Sequence, residues 1–341
     1  MTDLGKHVQN YFSRYLVSEC GVSGNTIRSY QNCFRLLFLF MSKVKGIKPD
    51  RFQLNHLNRN VVLDFLHWLQ ETQNNTISTR NQRLAVICSF CKYLQYEEPA
   101  RIAEWQDIRS IRKKKGASKT MTYLSTDGIK LLLKQIPDKS RESIRDLAML
   151  ALLYDTGCRV QELIDLKPSC IRFEYPCYIR VTGKGNKQRD IPLKEEQLEF
   201  LQQYMDEYNL NRVEFQEKEL FFNRVRGKLT TAGVTYILKK YADHARKENS
   251  TLIPKQISPH VIRHSKAMHL LQGGVNLVYI RDFLGHISIQ TTEIYARADS
   301  KQKREALESV YADVVPEKGK KGSWEKNSGL KDFLIRLGIQ R

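Results

Sequence analysis

Six side chains spread between positions 159 and 295 of this 341-residue chain have the types that phosphoryl chemistry needs. Arg159 follows the helix break DTGC, and Glu162 stands three residues on, within reach on one helical face. Lys184 occupies the turn of GKGNK, where two flanking glycines leave a long cation free to reach outward. In ISPHVIRHSKAMHLL, Ser258 is a natural N-cap and Pro259 a natural first residue, so His260 and Arg263 share one face of a helix start. His286 follows Gly285, and nine residues on stands Tyr295 in a short segment that Ser288 is able to cap.

Each type has a physical use. An arginine offers a planar, permanently charged fork to non-bridging phosphate oxygens. A helix start adds its own preference for anions. Phosphoryl transfer asks mainly for positioning and charge stabilisation, which fixed cations supply without a metal. A tyrosine can act as covalent nucleophile, a histidine can carry its proton, and a lysine can protonate a leaving oxygen.

The elements that must position these groups come in two parts. Residues 1–100 read as helices: Ile27, Tyr30, Phe34, Leu37, Phe38 and Met41 keep helical spacing, and further periodic segments run over 60–72 and from 76 onward. A four- or five-helix bundle follows. Arg80 and Arg83, early in the third helix, are expected to face outward and to meet DNA. The basic stretch IRSIRKKKGASKT, with Arg112, Lys113, Lys114, Lys115 and Lys119, reads as an interdomain linker that could lie along a duplex backbone. Helices are expected over 143–154, from 159, and over 195–209, 232–247, 259–271 and 275–284, with a β-hairpin across CYIRVTGKGNKQRDIPL. The fold class is therefore mainly α with a small antiparallel sheet in the C-terminal part. The expected boundaries are 1–111 for a helical DNA-binding domain, 112–121 for the linker, 122–313 for a catalytic domain and 314–341 for a tail.

Charge narrows the partner. The formal net charge is +19, and the first 120 residues hold 19 Lys/Arg against 9 Asp/Glu. Neutralising a nucleic-acid backbone releases counterions, so double-stranded DNA is the expected ligand. No basic start leads into an apolar core, and the run LAMLALLY is too short to span a bilayer, so neither secretion nor a membrane is expected. Seven cysteines without a small-scaffold pattern suit a reducing compartment, and Cys88 and Cys91 lack a second pair spaced for zinc. Neither metal nor cofactor is called for.

Together, TGCRVQEL, TGKGNKQRDIPL and HVIRHSKAMHLLQGGVNLVYIRDFLGHISIQTTEIYAR resemble the boxes of the tyrosine site-specific recombinase, or phage integrase, family. The resemblance covers about 122–312 and, more loosely, 7–112. It implies a two-domain clamp in a bacterial cytoplasm, assembled as a dimer on each recombination site and a tetramer in synapsis, with accessory proteins in some systems. It implies that Tyr295 attacks a scissile phosphate to give a 3′-phosphotyrosyl link, with Arg159 and Arg263 holding the phosphate. Lys184 would protonate the 5′-oxygen, His260 would be general acid/base, His286 would bond the phosphate, and Glu162 would orient Arg159. Ile262 and Lys266 are among the residues that depart from the commoner HxLRHTFATHLL, and none of the changes removes a catalytic group. In the tail, Leu330, Phe333, Leu334 and Leu337 form an apolar helical stripe expected to dock on a neighbouring protomer. Integration, excision or transposition of a mobile element is the expected task. Dimer resolution by the same chemistry, a catalytically silent DNA-binding protein and relaxation of supercoils are the other readings.

Overall fold

The computed structural model describes residues 2–116, 121–137, 140–183 and 185–298. Lys119, Lys184, Leu330, Phe333, Leu334, Leu337 and the expected helix near 303–312 lie outside the described residues. Two compact units emerge, Met1–Lys119 and Thr120–Arg341.

The first unit is helical. It opens with α1 (Asp3–Asn10), capped by the Thr2 hydroxyl, and runs on as a π-helical segment, Tyr11–Glu19, that the periodicity did not foretell. Then come α2 (Gly24–Lys43), α3 (Arg59–Glu71), α4 (Ile77–Glu97) and α5 (Ile102–Arg109). Ser23, Asn58 and Thr76 each accept a backbone N–H at the start of their helices, which satisfies an otherwise orphaned donor. Tyr11, Phe34 and Phe90 meet in the core with ring centroids 5.1–6.2 Å apart.

Here the reading of Arg80 needs correcting. Only 4% of the residue is exposed, and its guanidinium donates to Asn81. The reason is that α4 is the central helix of the bundle: its buried positions include both Val86 and Ile87, both Phe90 and Cys91, and both Tyr93 and Leu94. A helix covered on several sides has no wide outward stripe left for an early arginine. Arg83 is half-buried and donates to the Ser29 carbonyl of α2 at 3.0 Å, bridging two helices. Arg112, Lys113, Lys114 and Lys115 are exposed, yet this stretch is not a free tether. The Lys114 backbone exchanges two hydrogen bonds with the Asn81 side chain, at 2.8 and 3.1 Å, and its ammonium reaches Gln70.

The second unit begins with α6 (Thr126–Lys134), α7 (Arg141–Thr156) and α8 (Val160–Ile164). A three-stranded antiparallel sheet follows, in order β1 (Ile171–Arg172), β2 (Tyr178–Thr182), β3 (Gln188–Pro192). The hairpin was legible from alternation, whereas β1, two residues long, carries no periodic signal. Ile179 faces Ile191 across the sheet and both are buried. The chain then forms α9 (Glu195–Glu207), α10 (Thr231–Glu248), α11 (Pro259–Gln272), α12 (Leu277–Leu284) and α13 (Gln290–Ala298). Packed centrally, α7 buries Ala148 through Leu153 without a break. It ends on Gly157 at φ +54°, where a side-chain Cβ would also meet Leu284 at 2.9 Å.

Candidate active site

Local rules place each functional group. Arg159 is the N-cap residue of α8, and Glu162 folds back to accept the Arg159 backbone N–H at 2.9 Å and its guanidinium at 2.7 Å. Pro259 opens α11 as expected, although the Ser258 side chain makes no capping bond. Arg263, one turn along, is 4% exposed and donates to the Gly157 carbonyl at 2.6 Å. Ser288 accepts the Gln290 N–H before α13, which carries Tyr295.

A third arginine completes the cluster. Arg189 of β3 donates to Glu162 at 2.7 Å, so one carboxylate takes guanidinium bonds from two arginines. Burial pushes the Glu162 carboxyl up, but the bonds from Arg189 and Arg159 outweigh it and hold the group below the usual carboxylate range. The C-terminus of α12 then ties the arginines together. Its last carbonyls accept in turn from Arg189 (Phe283 O, 3.0 Å), Arg263 (Leu284 O, 2.7 Å) and Arg159 (Gly285 O, 3.2 Å). Orphaned carbonyls at a helix end carry partial negative charge, so cations satisfy both hydrogen bonding and dipole.

Three guanidinium groups thus cluster around one carboxylate, which bonds two of them. The surplus positive charge registers on every neighbour. Burial, with Arg159 beside it, lowers Arg263 to about 10. His286 is lowered to about 4 by burial, then by Arg263 and Arg159. His260 is lowered by the same causes in the same order. Tyr295 is 1% exposed; burial raises its phenol, and Arg263 and Arg159 pull the other way. A cavity of about 550 Å³ opens beside the cluster, lined by Arg159, Lys187, Arg189, Arg281, His286 and Ile287 among others. A site with this charge and these donors is built for a phosphate.

Comparison with known proteins decides the family. A model of the phage integrase family matches residues 122–302, and a model of its N-terminal SAM-like domain matches 10–98. The chain belongs to the phage integrase family. It is a tyrosine recombinase, an enzyme of site-specific DNA recombination. It is 31% identical over 332 residues to the integrase/recombinase y4rC of Sinorhizobium fredii, covering 97% of each chain. It is 31% identical to the tyrosine recombinase XerD of Listeria monocytogenes, over 89% of this chain and 97% of that one. The crystal structure of the XerH site-specific recombinase bound to a palindromic difH substrate shares the fold, with a TM-score of 0.67 at 23% identity over 84% of this chain and 80% of that one.

Within this recombinase, the structure gathers Arg159, Glu162, Arg263, His286 and Tyr295 into one neighbourhood, with His260 close enough to feel both arginines. Lys184 lies outside the described residues. Sequence reasoning passed over Arg189, His264 and Thr292. Arg189 had a signal: it alternates with Ile191 on the inward face of β3, where an arginine needs a buried partner. His264 had one too, since it stands four residues after His260 and so shares its helical face. Its Nδ1 lies 3.1 Å from the Tyr295 hydroxyl. Thr292 is fully buried and places its hydroxyl 2.9 Å from His286 Nδ1, a pairing no spacing announces.

Proposed function

We propose that this recombinase cuts and rejoins double-stranded DNA through Tyr295, forming a 3′-phosphotyrosyl link and a free 5′-hydroxyl. The observation that carries the reading is the convergence of the buried Tyr295 phenol with Arg159 and Arg263, in a cluster whose positive charge exceeds its negative. Arg159 and Arg263 hold the non-bridging oxygens, and their charge offsets the negative charge that grows on the phosphorane. Their forks are fixed beforehand by carbonyl and carboxylate bonds, so little reorganisation remains at the moment of reaction.

Glu162 orients Arg159, His286 donates to the phosphate from its remaining nitrogen, and His260 at the start of α11 is the acid/base group beside the phosphate. Lys184 protonates the departing 5′-oxygen. Because the phosphodiester energy is kept in the tyrosyl ester, rejoining requires no nucleotide hydrolysis. The exposed cations Arg112, Lys113 and Lys115 bind the DNA backbone, and two protomers occupy each site, four the synapse. Domain limits near 111, 121 and 313, with a tail that docks on a neighbour, complete the proposal. Relatives are named as tyrosine recombinases and as an integrase/recombinase, and integration, excision or transposition of a mobile element is the task we favour, with dimer resolution by the same chemistry as the second reading.

The test is a nicked suicide substrate carrying the enzyme's own site, found by selecting bound fragments from the DNA that flanks its gene. Wild type is expected to form a denaturant-stable protein–DNA adduct, and Tyr295→Phe to bind the same DNA and form none. A wild type that binds but gives no adduct would make the protein a silent DNA-binding member of the family.

A further inference from the structure

A phenol that attacks phosphorus must lose its proton, and the Tyr295 phenol is buried with its affinity for that proton raised. Arginines hold no lone pair that can receive it at neutral pH. Two histidines, His264 and His286, contact the tyrosine, and a third, His260, lies one turn from His264; they are not equivalent. His286 stacks on the Tyr295 ring at 6.3 Å between centroids, but its Nδ1 is engaged with Thr292. His260 sits at the open start of α11, one turn away from His264 along the helix. His264 is the one of the three that bonds the hydroxyl, its Nδ1 3.1 Å away and the rings 5.7 Å apart.

The surroundings keep His264 in the form that accepts a proton. Burial first, then His260 and Arg263, hold its imidazole below its ordinary range, so it is neutral at pH 7. A neutral imidazole whose Nδ1 faces a phenol can present its lone pair there, with the hydrogen on Nε2.

We propose that His264 is the general base for Tyr295. This rests on Tyr295 being the nucleophile, and it assigns the nucleophile's proton to a residue other than His260. In the step, the phenolic O–H proton passes to His264 Nδ1 while the phenolic oxygen bonds to phosphorus. The bond from phosphorus to the 5′-oxygen breaks, and that oxygen takes a proton from Lys184. On rejoining, the 5′-hydroxyl attacks phosphorus and gives its proton back to Lys184, while the bond to the phenolic oxygen breaks and that oxygen takes its proton back from His264. The charge His264 gains during cleavage is transient and sits beside the anionic phosphorane.

Two substrates and three variants test this: an ordinary phosphodiester and one whose bridging 5′-oxygen is sulfur, with His264→Asn, His264→Phe and Lys184→Ala. Asparagine puts an acceptor oxygen near the place of Nδ1 but cannot carry the proton. His264→Asn is expected to slow single-turnover cleavage about 100-fold on both substrates, while DNA affinity changes less than about twofold. Lys184→Ala is expected to be slow only on the oxygen substrate, because a thiolate leaves without a proton. His264→Phe is expected to be at least as slow as His264→Asn. Cleavage by His264→Asn within about threefold of wild type, or its recovery on the sulfur substrate, would overturn the assignment. Nitrogen-15 histidine spectra of the whole protein without DNA give a second readout: the Nε2–H tautomer at His264 is expected, and an Nδ1–H tautomer would sink the idea. If instead Tyr295→Phe forms as much adduct as wild type, the nucleophile reading itself fails, which is a different result from a fast His264→Asn.

Discussion

Glu162 is the residue on which the cationic site turns. It is 6% exposed and takes bonds from Arg159 and Arg189, so without it three guanidinium groups would face one another with only carbonyls between them. Breaking a buried ion pair from one side leaves an uncompensated charge, and Glu162→Gln is expected to cost about 2 kcal/mol of stability at pH 7. The pH dependence has a defined sign. Because the folded-state pKa of Glu162 is lowered, its contribution is present above the unfolded value, about 4.3, and is lost as pH falls through the folded value. Denaturant unfolding of wild type and Glu162→Gln should therefore differ at pH 7 and converge as the pH is taken well below 4. His286 behaves in the same direction. Its folded value is about 4 against an ordinary 6.5, so the neutral ring supports the fold above pH 6.5 and loses that support as pH drops toward 4.

The C-terminal turn of α12 is the element that converts three separate arginines into one site. Gly285 takes φ +65° there, and a Cβ would lie 2.8 Å from Arg189 Nη1. A left-handed turn and a close cation thus demand glycine for two independent reasons. Gly285→Ala is expected to destabilise by about 1–2 kcal/mol and to slow adduct formation at least about tenfold, read by thermal unfolding and by the suicide-substrate assay. At this scale the helices and hairpin were legible because they bury one face, as the spacing of Phe34, Leu37 and Met41 or the pair Ile179 and Ile191 shows. The π-helical segment Tyr11–Glu19 and the two-residue β1 were not, since neither sustains a period long enough to read. Arg80 misled for a related reason: a helix covered on several sides offers no polar stripe, and position in sequence cannot tell an early residue from an outward one.

Across the whole molecule, charge is the property that meets DNA. With a net charge of +19, affinity should fall steeply with salt, and each phosphate contact removed should lower the slope of log affinity against log salt by about 0.9. Replacing Arg112, Lys113 and Lys115 together by glutamine is therefore expected to reduce that slope by about 2–3, measured by fluorescence anisotropy on the selected site. An unchanged slope would make them solvated cations only. The amino-acid sequence by itself determined the charge, the helical periods, the hairpin and the order of boxes that carry Arg159, Lys184, His260, Arg263, His286 and Tyr295, because each is a local property of composition or spacing. Tertiary structure decided which groups meet. Arg189 reaches from β3 to Glu162 on α8, and three consecutive carbonyls at the end of α12 each take an arginine from elsewhere in the chain. Tyr295 finds His264 across 31 residues. Such contacts depend on how helices and strands pack, and hydrogen-bond partners distant in sequence leave no period to read.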